Sequence, residues 1–319
     1  MIRAASLLLH TAAVLLGAML LLFLLGALIP GNPADTLLGP QASPEYAAAF
    51  IARMGLDRPW PERLWRFFAA LLQGDLGVDV VTGRSVVSLI ADTLPYTVTL
   101  TASAIGAAVI LGIPLGCVAA LRPGSLFDQA LAIATVAVIA VPSFVIGIVL
   151  LLVCGAYLPW FPVIGDPFAT GPSLAWVLPT VALSIGWVGY IARLTRTSMI
   201  EVLGEPYIRT AIAHGLPRRT IVFRYALKNA VIPTIAVLGL GVGRLLGGAV
   251  LVEIVFARPG LGKLVLDAIN TRNFPVLQGA VFVVVLLFVL TNLAVDLSYG
   301  WIDPRLRQTR LRQTRAGDR

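Results

Sequence analysis

An arginine inside an apolar run is the residue of this sequence whose chemistry most needs an explanation. Arg244 lies within Ala230–Val252, a stretch that is otherwise almost entirely apolar. A charge near the centre of a bilayer costs roughly 2.5–3.5 kcal/mol on insertion scales, so such a cation faces a partner or a watery path. The functional reading is a path-lining or subunit-contact residue; the structural one pairs it with Glu253 two turns on, with a carbonyl, or with a neighbouring subunit. Gly239, Gly243 and Gly247, spaced four apart, make a smooth stripe on the same segment. That stripe suits close helix packing either within the chain or against a second subunit. Other reactive residue types are sparse. Cys117, Cys154, His10 and His214 have no metal-ligand spacing around them. Gly260-Leu261-Gly262-Lys263 lacks the first glycine of a phosphate-binding loop and is followed by Leu264, where that loop has Ser or Thr. Paired carboxylates, a His/Glu zinc motif and a Ser/Lys dyad are not evident in the apolar runs, and no catalytic constellation is assigned.

The other segment with marked chemistry is polar. From Met199 the sequence runs MIEVLGEPYIRTAIAHGLPRRTIVFRYALKNAVIP. Pro206 suits a helix start, Tyr207–His214 continues it, and Gly215 can take the left-handed conformation that ends one. Pro217 then stands early in a second helix, whose basic face of Arg218, Arg219, Arg224 and Lys228 leads to Pro233. Ala211 and Ala213 are small and, beside Gly215, are expected to let another protein's surface approach closely. Tyr207, Arg209 and Thr210 complete the candidate docking helix.

These residues must be positioned by apolar elements. With 58% hydrophobic and 13% charged residues over 319, and a mean hydropathy of +0.90, the chain has the composition of a protein solvated by a bilayer. Six runs are long enough to span: Leu7–Ile29, Leu94–Leu121, Phe127–Tyr157, Leu174–Ile191, Ala230–Val252 and Gly279–Trp301. The first exceeds the core length of a secretory signal and is predicted to be an uncleaved helix. Pro114 and Pro142 are expected to bend the second and third. With the N-terminus in the cytoplasm, fifteen of the 24 Lys and Arg residues fall on that side and eight on the other, with Arg244 in a span. Five of those eight belong to the long segment after the first run, which translocates with little regard to charge, so both termini are placed inside. The net charge of +8 is thereby read as a topology signal and an attraction for anionic lipid, not as a nucleic-acid surface. The predicted organisation is a first transmembrane helix over 1–30, an external cap over 31–93 with helices near Glu45–Arg53 and Trp60–Leu72, a five-helix core over 94–304 with a cytoplasmic loop over 194–229, and a basic tail over 305–319.

With these features the sequence resembles the inner-membrane permease subunits of ABC importers for dipeptides, oligopeptides and nickel. The resemblance rests on Tyr207-Ile208-Arg209-Thr210-Ala211, on Ala213, Gly215 and Leu216, and on Arg224–Pro233 (RYALKNAVIP). It extends along the chain through Ile29–Asp35, Gly55–Pro59, Gly74–Gly77, Gly112–Gly116, Pro142–Phe144, Glu253–Gly262, Arg272–Gly279 and Asp303–Arg305. Where the wider superfamily shows Glu-Ala-Ala, three residues, then Gly, this chain has Arg209, Thr210, Ala211 and Gly215, a departure usual in this subfamily. The resemblance implies an all-α membrane protein of the type I importer architecture, with six transmembrane helices and a cytoplasmic coupling helix. It implies a transport subunit without its own nucleotide site, in a bacterial inner membrane. It further implies a second homologous permease subunit, two cytoplasmic ATPases that hold ATP and magnesium, and an external solute-binding protein. Peptides are the leading solute class, with nickel chelates, glutathione or another small solute as alternatives. A self-contained secondary carrier or channel would need internal repeats or several ionisable residues along its spans, and Arg244 and Asp296 are nearly the whole supply.

Overall fold

The computed structural model describes residues 12–24, 43, 45, 48, 51–52, 57–162 and 174–302, with the side chains of residue 240 and residues 295–302 excepted. Helices account for most of the described backbone, and no strand occurs among the described residues. In chain order they are α1 (Ala12–Leu24), α2 (Trp60–Leu72), α3 (Val86–Leu121), α4 (Leu126–Ala140), α5 (Ser143–Leu150, prolonged by a π-helical turn Leu151–Tyr157), α6 (Val177–Leu203), α7 (Pro206–Ala213), α8 (Leu227–Val255), α9 (Leu261–Asn270) and α10 (Phe274–Ile302). A turn at Arg218–Thr220 and a π-helical stretch Ile221–Ala226 lead without a break into α8.

Four of these helical runs are long and apolar enough to cross a membrane, and α4 with α5 makes a fifth if that pair is one span. The expected third span is thus not one helix: α4 and α5 meet at 101°. Pro142 supplies the reason, since its ring pushes the preceding residue out of the helical region, and Val141 has φ −93° and ψ 127°. α3, by contrast, continues through Pro114 without interruption. The first expected span, Leu7–Ile29, is described only over its centre, as α1; its ends, and most of the expected helix near Glu45–Arg53, lie outside the described residues. The expected helix Trp60–Leu72 is found at those bounds.

The described residues fall into two compact units, one from 1–98 and 257–289, the other from 99–256 and 290–319. In the first, Val86, Ile90, Leu261, Ala268 and Val276 form the core that joins α3, α9 and α10. α9 was not anticipated; the segment Arg258–Phe274 was expected only to face outward as a loop between spans. No side chain of its own caps its start, and the Thr97 hydroxyl of α3 accepts the Leu261 N–H at 2.9 Å instead.

A buried polar knot closes the same unit. Asp79 accepts hydrogen bonds from the Val81 N–H at 2.9 Å, from the Thr82 hydroxyl and from the Asn273 side-chain amide, fixing the 79–85 turn to the start of α10. Burial works to raise the Asp79 pKa, but those hydrogen bonds to the charged form outweigh it and hold the carboxyl below its ordinary value. A depressed carboxyl stabilises the fold fully above the unfolded value, about 3.9, and the contribution disappears as pH falls through the lower folded value. The melting-temperature gap between wild type and Asp79→Asn in detergent is therefore expected to be widest above about pH 5 and to narrow on acidification. A gap independent of pH would contradict this.

Candidate functional site

In the second unit, α6 is the element that the others share. Gly112 and Gly116 of α3 let it come close: a Cβ at Gly112 would lie 2.8 Å from the Ile191 Cβ, and one at Gly116 would stand 2.9 Å from the Thr195 Cβ and closer still to the Ala192 carbonyl. On its other sides Gly189 accommodates Val138 of α4, and Trp187 lies over Gly241 of α8, where any Cβ would fall within the ring. The Thr195 and Thr234 hydroxyls, both buried, are 3.2 Å apart and join α6 to α8.

The helix does not end where the apolar run does. The loop expected over 194–229 begins only after Leu203, because α6 carries Arg193 and Arg196 on its last turns. Arg196 is held by Asp128 in a two-pronged ion pair, with its terminal nitrogen 2.7 Å from Oδ2. Asp128 also accepts the Gly124 N–H at 2.9 Å, and Ser125 caps the start of α4. A paired charge can thus continue a helix that an apolarity rule would stop.

After Gly204 the chain turns into α7 with Pro206 at its first position. The helix ends as expected from Gly215, whose φ is +71°. The Leu216 N–H reaches back to the Ala211 carbonyl at 3.3 Å and the Gly215 N–H to the Ile212 carbonyl at 2.9 Å, the paired bonds of a Schellman stop. One side of α7 is inside the protein. Ile208 and Ala211 are buried with Met199 of α6, Cys117 and Ala120 of α3, and Ile221, Val222 and Ala226. Burying a side chain such as Ile208 is worth about 1.5–3 kcal/mol, so α7 is seated firmly on the ends of α3 and α6. The other side is open: Tyr207, Arg209, Thr210, Ile212 and Ala213 are exposed, as are Gly215, Arg218, Arg219 and the neighbouring Phe223. Asn229 donates to the Tyr207 hydroxyl at 2.8 Å, and Arg218 to the Leu121 carbonyl at 3.2 Å, which tethers the turn between α3 and α4 to the same platform.

Two of the expected roles change. Ala211 is small because it faces this chain's own core, not to admit a partner. Arg244 and Glu253 do not pair: nine residues of α-helix place them about half a turn apart around the axis, with Glu253 buried and Arg244 exposed. Of the expected stripe of Gly239, Gly243 and Gly247, the last makes no close contact among the described residues. Gly243 is buried, Gly239 is half-buried, and Gly247 is exposed with nothing within 4 Å of where its Cβ would be. Gly241 and Gly116, which that spacing argument did not select, make close approaches; the GIPLG motif at 112–116 was the available signal for the latter.

The family described as binding-protein-dependent transport system inner membrane component matches residues 112–308, which include α7 and the helices that seat it. A protein of Sinorhizobium fredii named "probable peptide ABC transporter permease protein" is 39% identical, with 94% of this chain and 97% of that one aligned. The dipeptide transport system permease protein of Alkalihalophilus pseudofirmus is 37% identical, over 92% of this chain and 96% of its own. The glutathione transport system permease protein of Pectobacterium atrosepticum is also 37% identical, over 92% and 94%.

Proposed function

The chain belongs to the family of binding-protein-dependent transport system inner membrane components, and from that premise we propose that it forms half of the membrane path of an ABC importer for peptides. The naming of relatives aligned over nearly their full length supports the peptide class, and those named for glutathione, itself a small peptide derivative, support it as the second reading. In this reading α1 is the centre of a longer first span and six spans cross a bacterial inner membrane, with both termini and α7 in the cytoplasm. A second permease subunit completes the path, two cytoplasmic ATPases bind and hydrolyse ATP, and an external binding protein delivers the solute.

The observation that carries the mechanism is the two-sided character of α7. Its inner side is bound into the core at the end of α6, and its outer side offers Tyr207, Ile212 and the basic flank of Arg209, Arg218 and Arg219. An ATPase that grips the outer side moves α6, and through the glycine contacts and the two buried hydroxyls it moves α3, α4 and α8. Arg244, exposed on α8, is then available to the second subunit or to the solute path.

Gly215 separates docking from folding. A methyl there meets nothing among the described residues, so Gly215→Ala bears only the left-handed backbone cost of about 1–2 kcal/mol. Gly215→Asp adds a negative charge to the contact. Gly215→Asp is expected to abolish solute-stimulated ATP hydrolysis in the assembled complex, with normal membrane insertion, and Gly215→Ala to reduce it modestly. The check is copurification of the ATPase with the tagged chain, followed by stimulated hydrolysis in reconstituted membranes. Absence of any ATPase with the wild-type chain, or full stimulation by Gly215→Asp, would overturn the assignment.

A further inference from the structure

The helix α2, WPERLWRFFAALL, is amphipathic, but only part of its apolar side is used inside the protein. At 100° per residue its apolar side chains sweep an arc of about 160° from Phe67 to Trp65, and Glu62, Arg63 and Arg66 occupy the other side. The Phe67 edge of the arc is packed: its ring meets Phe23 of α1 at 6.0 Å and Phe282 of α10 at 6.1 Å, both edge-to-face. The other edge is open, with Trp65 74% and Leu72 90% exposed. On the polar side Glu62 bridges Arg58 and Arg66.

The depth of the Phe67 contact decides what meets the open edge. Phe282 is eight residues into α10, whose run long and apolar enough to cross a membrane is Phe274–Ala294, so it stands about 12 Å along the axis from the start of that run. A helix whose Phe67 touches a membrane span at that depth cannot stand clear of the bilayer as a purely aqueous cap. We infer that α2 is an interfacial helix that lies in the leaflet receiving the N-terminal end of α10, with Trp65 and Leu72 against acyl chains and Glu62, Arg63 and Arg66 at the headgroups. Tryptophan and arginine are the residue types that favour this boundary, one through its amphipathic ring and the other through its long stem and charged tip.

The test needs no transport activity and so is independent of the function proposed above. In the full-length chain with Cys117 and Cys154 replaced by Ala, Leu72→Cys and Gln73→Cys place nitroxide labels on the apolar and the polar flank of the helix, with Trp65→Cys and Glu62→Cys as a second pair about two to three turns away. The protein is reconstituted in phosphatidylethanolamine/phosphatidylglycerol vesicles, and collision with oxygen and with a water-soluble nickel chelate is measured. The ratio of oxygen to nickel accessibility is expected to be several-fold higher at 72 and 65 than at 73 and 62. Equal ratios on the two flanks would show that both face water. Shielding of 72 and 65 from both reagents would place protein over the flank, whether another part of this chain or a partner. Either result overturns the inference.

Discussion

Gly116→Ala is expected to be among the most damaging single methyl additions to this protein. The new Cβ meets the Ala192 carbonyl, the Thr195 Cβ and the Arg196 backbone nitrogen, and since two of these are main-chain atoms of α6, no rotamer change can relieve the clash. α3 and α6 must separate, and the overpacking cost of about 1–3 kcal/mol falls on the helix pair that seats α7. Gly106→Ala on the same helix is the control, because nothing lies within 4 Å of its added methyl and alanine favours the helix by up to about 1 kcal/mol. The measurements are the yield of monodisperse protein in mild detergent and its melting temperature. Gly116→Ala should lower both sharply, with Gly106→Ala unchanged or slightly raised. Equal behaviour of the two would remove the close α3–α6 contact from the account.

The second large effect is expected at the Asp128–Arg196 pair, which ties α4 to the end of α6 close to where α7 begins. Asp128→Ala removes the acceptor of the guanidinium and of the Gly124 N–H together, and leaves Arg196 only partly solvated. Transport per ATP hydrolysed should fall severalfold, because α4 no longer follows α6. Arg196→Asp alone should be worse, for it sets two carboxylates together. The exchanged double variant Asp128→Arg/Arg196→Asp should recover part of the loss. Recovery stays incomplete because Asp128 stands in the first turn of α4, where the helix dipole favours an anion and not a cation. Uptake and hydrolysis measured in the same vesicles separate this from simple misfolding, which lowers both together. A double variant no better than the worse single one would contradict a direct pairing.

Local punctuation made much of this structure readable. Pro206, Gly215 and Pro217 mark the bounds of α7 because each restricts or frees its own backbone, and Trp60–Leu72 shows its period without help from elsewhere. The misreadings have a common source in contacts between distant residues. Arg196 looked like loop because its counter-ion is 68 residues away in sequence, and Ala211 looked like an open surface because the core that requires its small size comes from α3, α6 and the approach to α8. The glycine spacing on α8 pointed to 239, 243 and 247 and passed over Gly241, whose close approach depends on where Trp187 stands. α9 could have been found from Leu261, Leu264 and Ala268 at helical spacing and from the Lys263–Asp267 pair at 2.9 Å. The 101° break at Pro142 was foreseen as a bend; its size was not, because proline fixes the interruption and the surrounding packing fixes the angle.

In the proposed mechanism an ATPase grips the outer side of α7. Photo-crosslinking from Ile212, which is 60% exposed on that side, tests it most directly. With a benzophenone side chain at position 212 of the otherwise unaltered chain, in membranes that also contain the partner subunits, illumination should yield an adduct between this chain and the ATPase. The same probe at Ile110, an exposed position of the α3 span, should yield none. An illuminated complex that still hydrolyses ATP and imports solute, yet gives no ATPase adduct from position 212, would contradict the account.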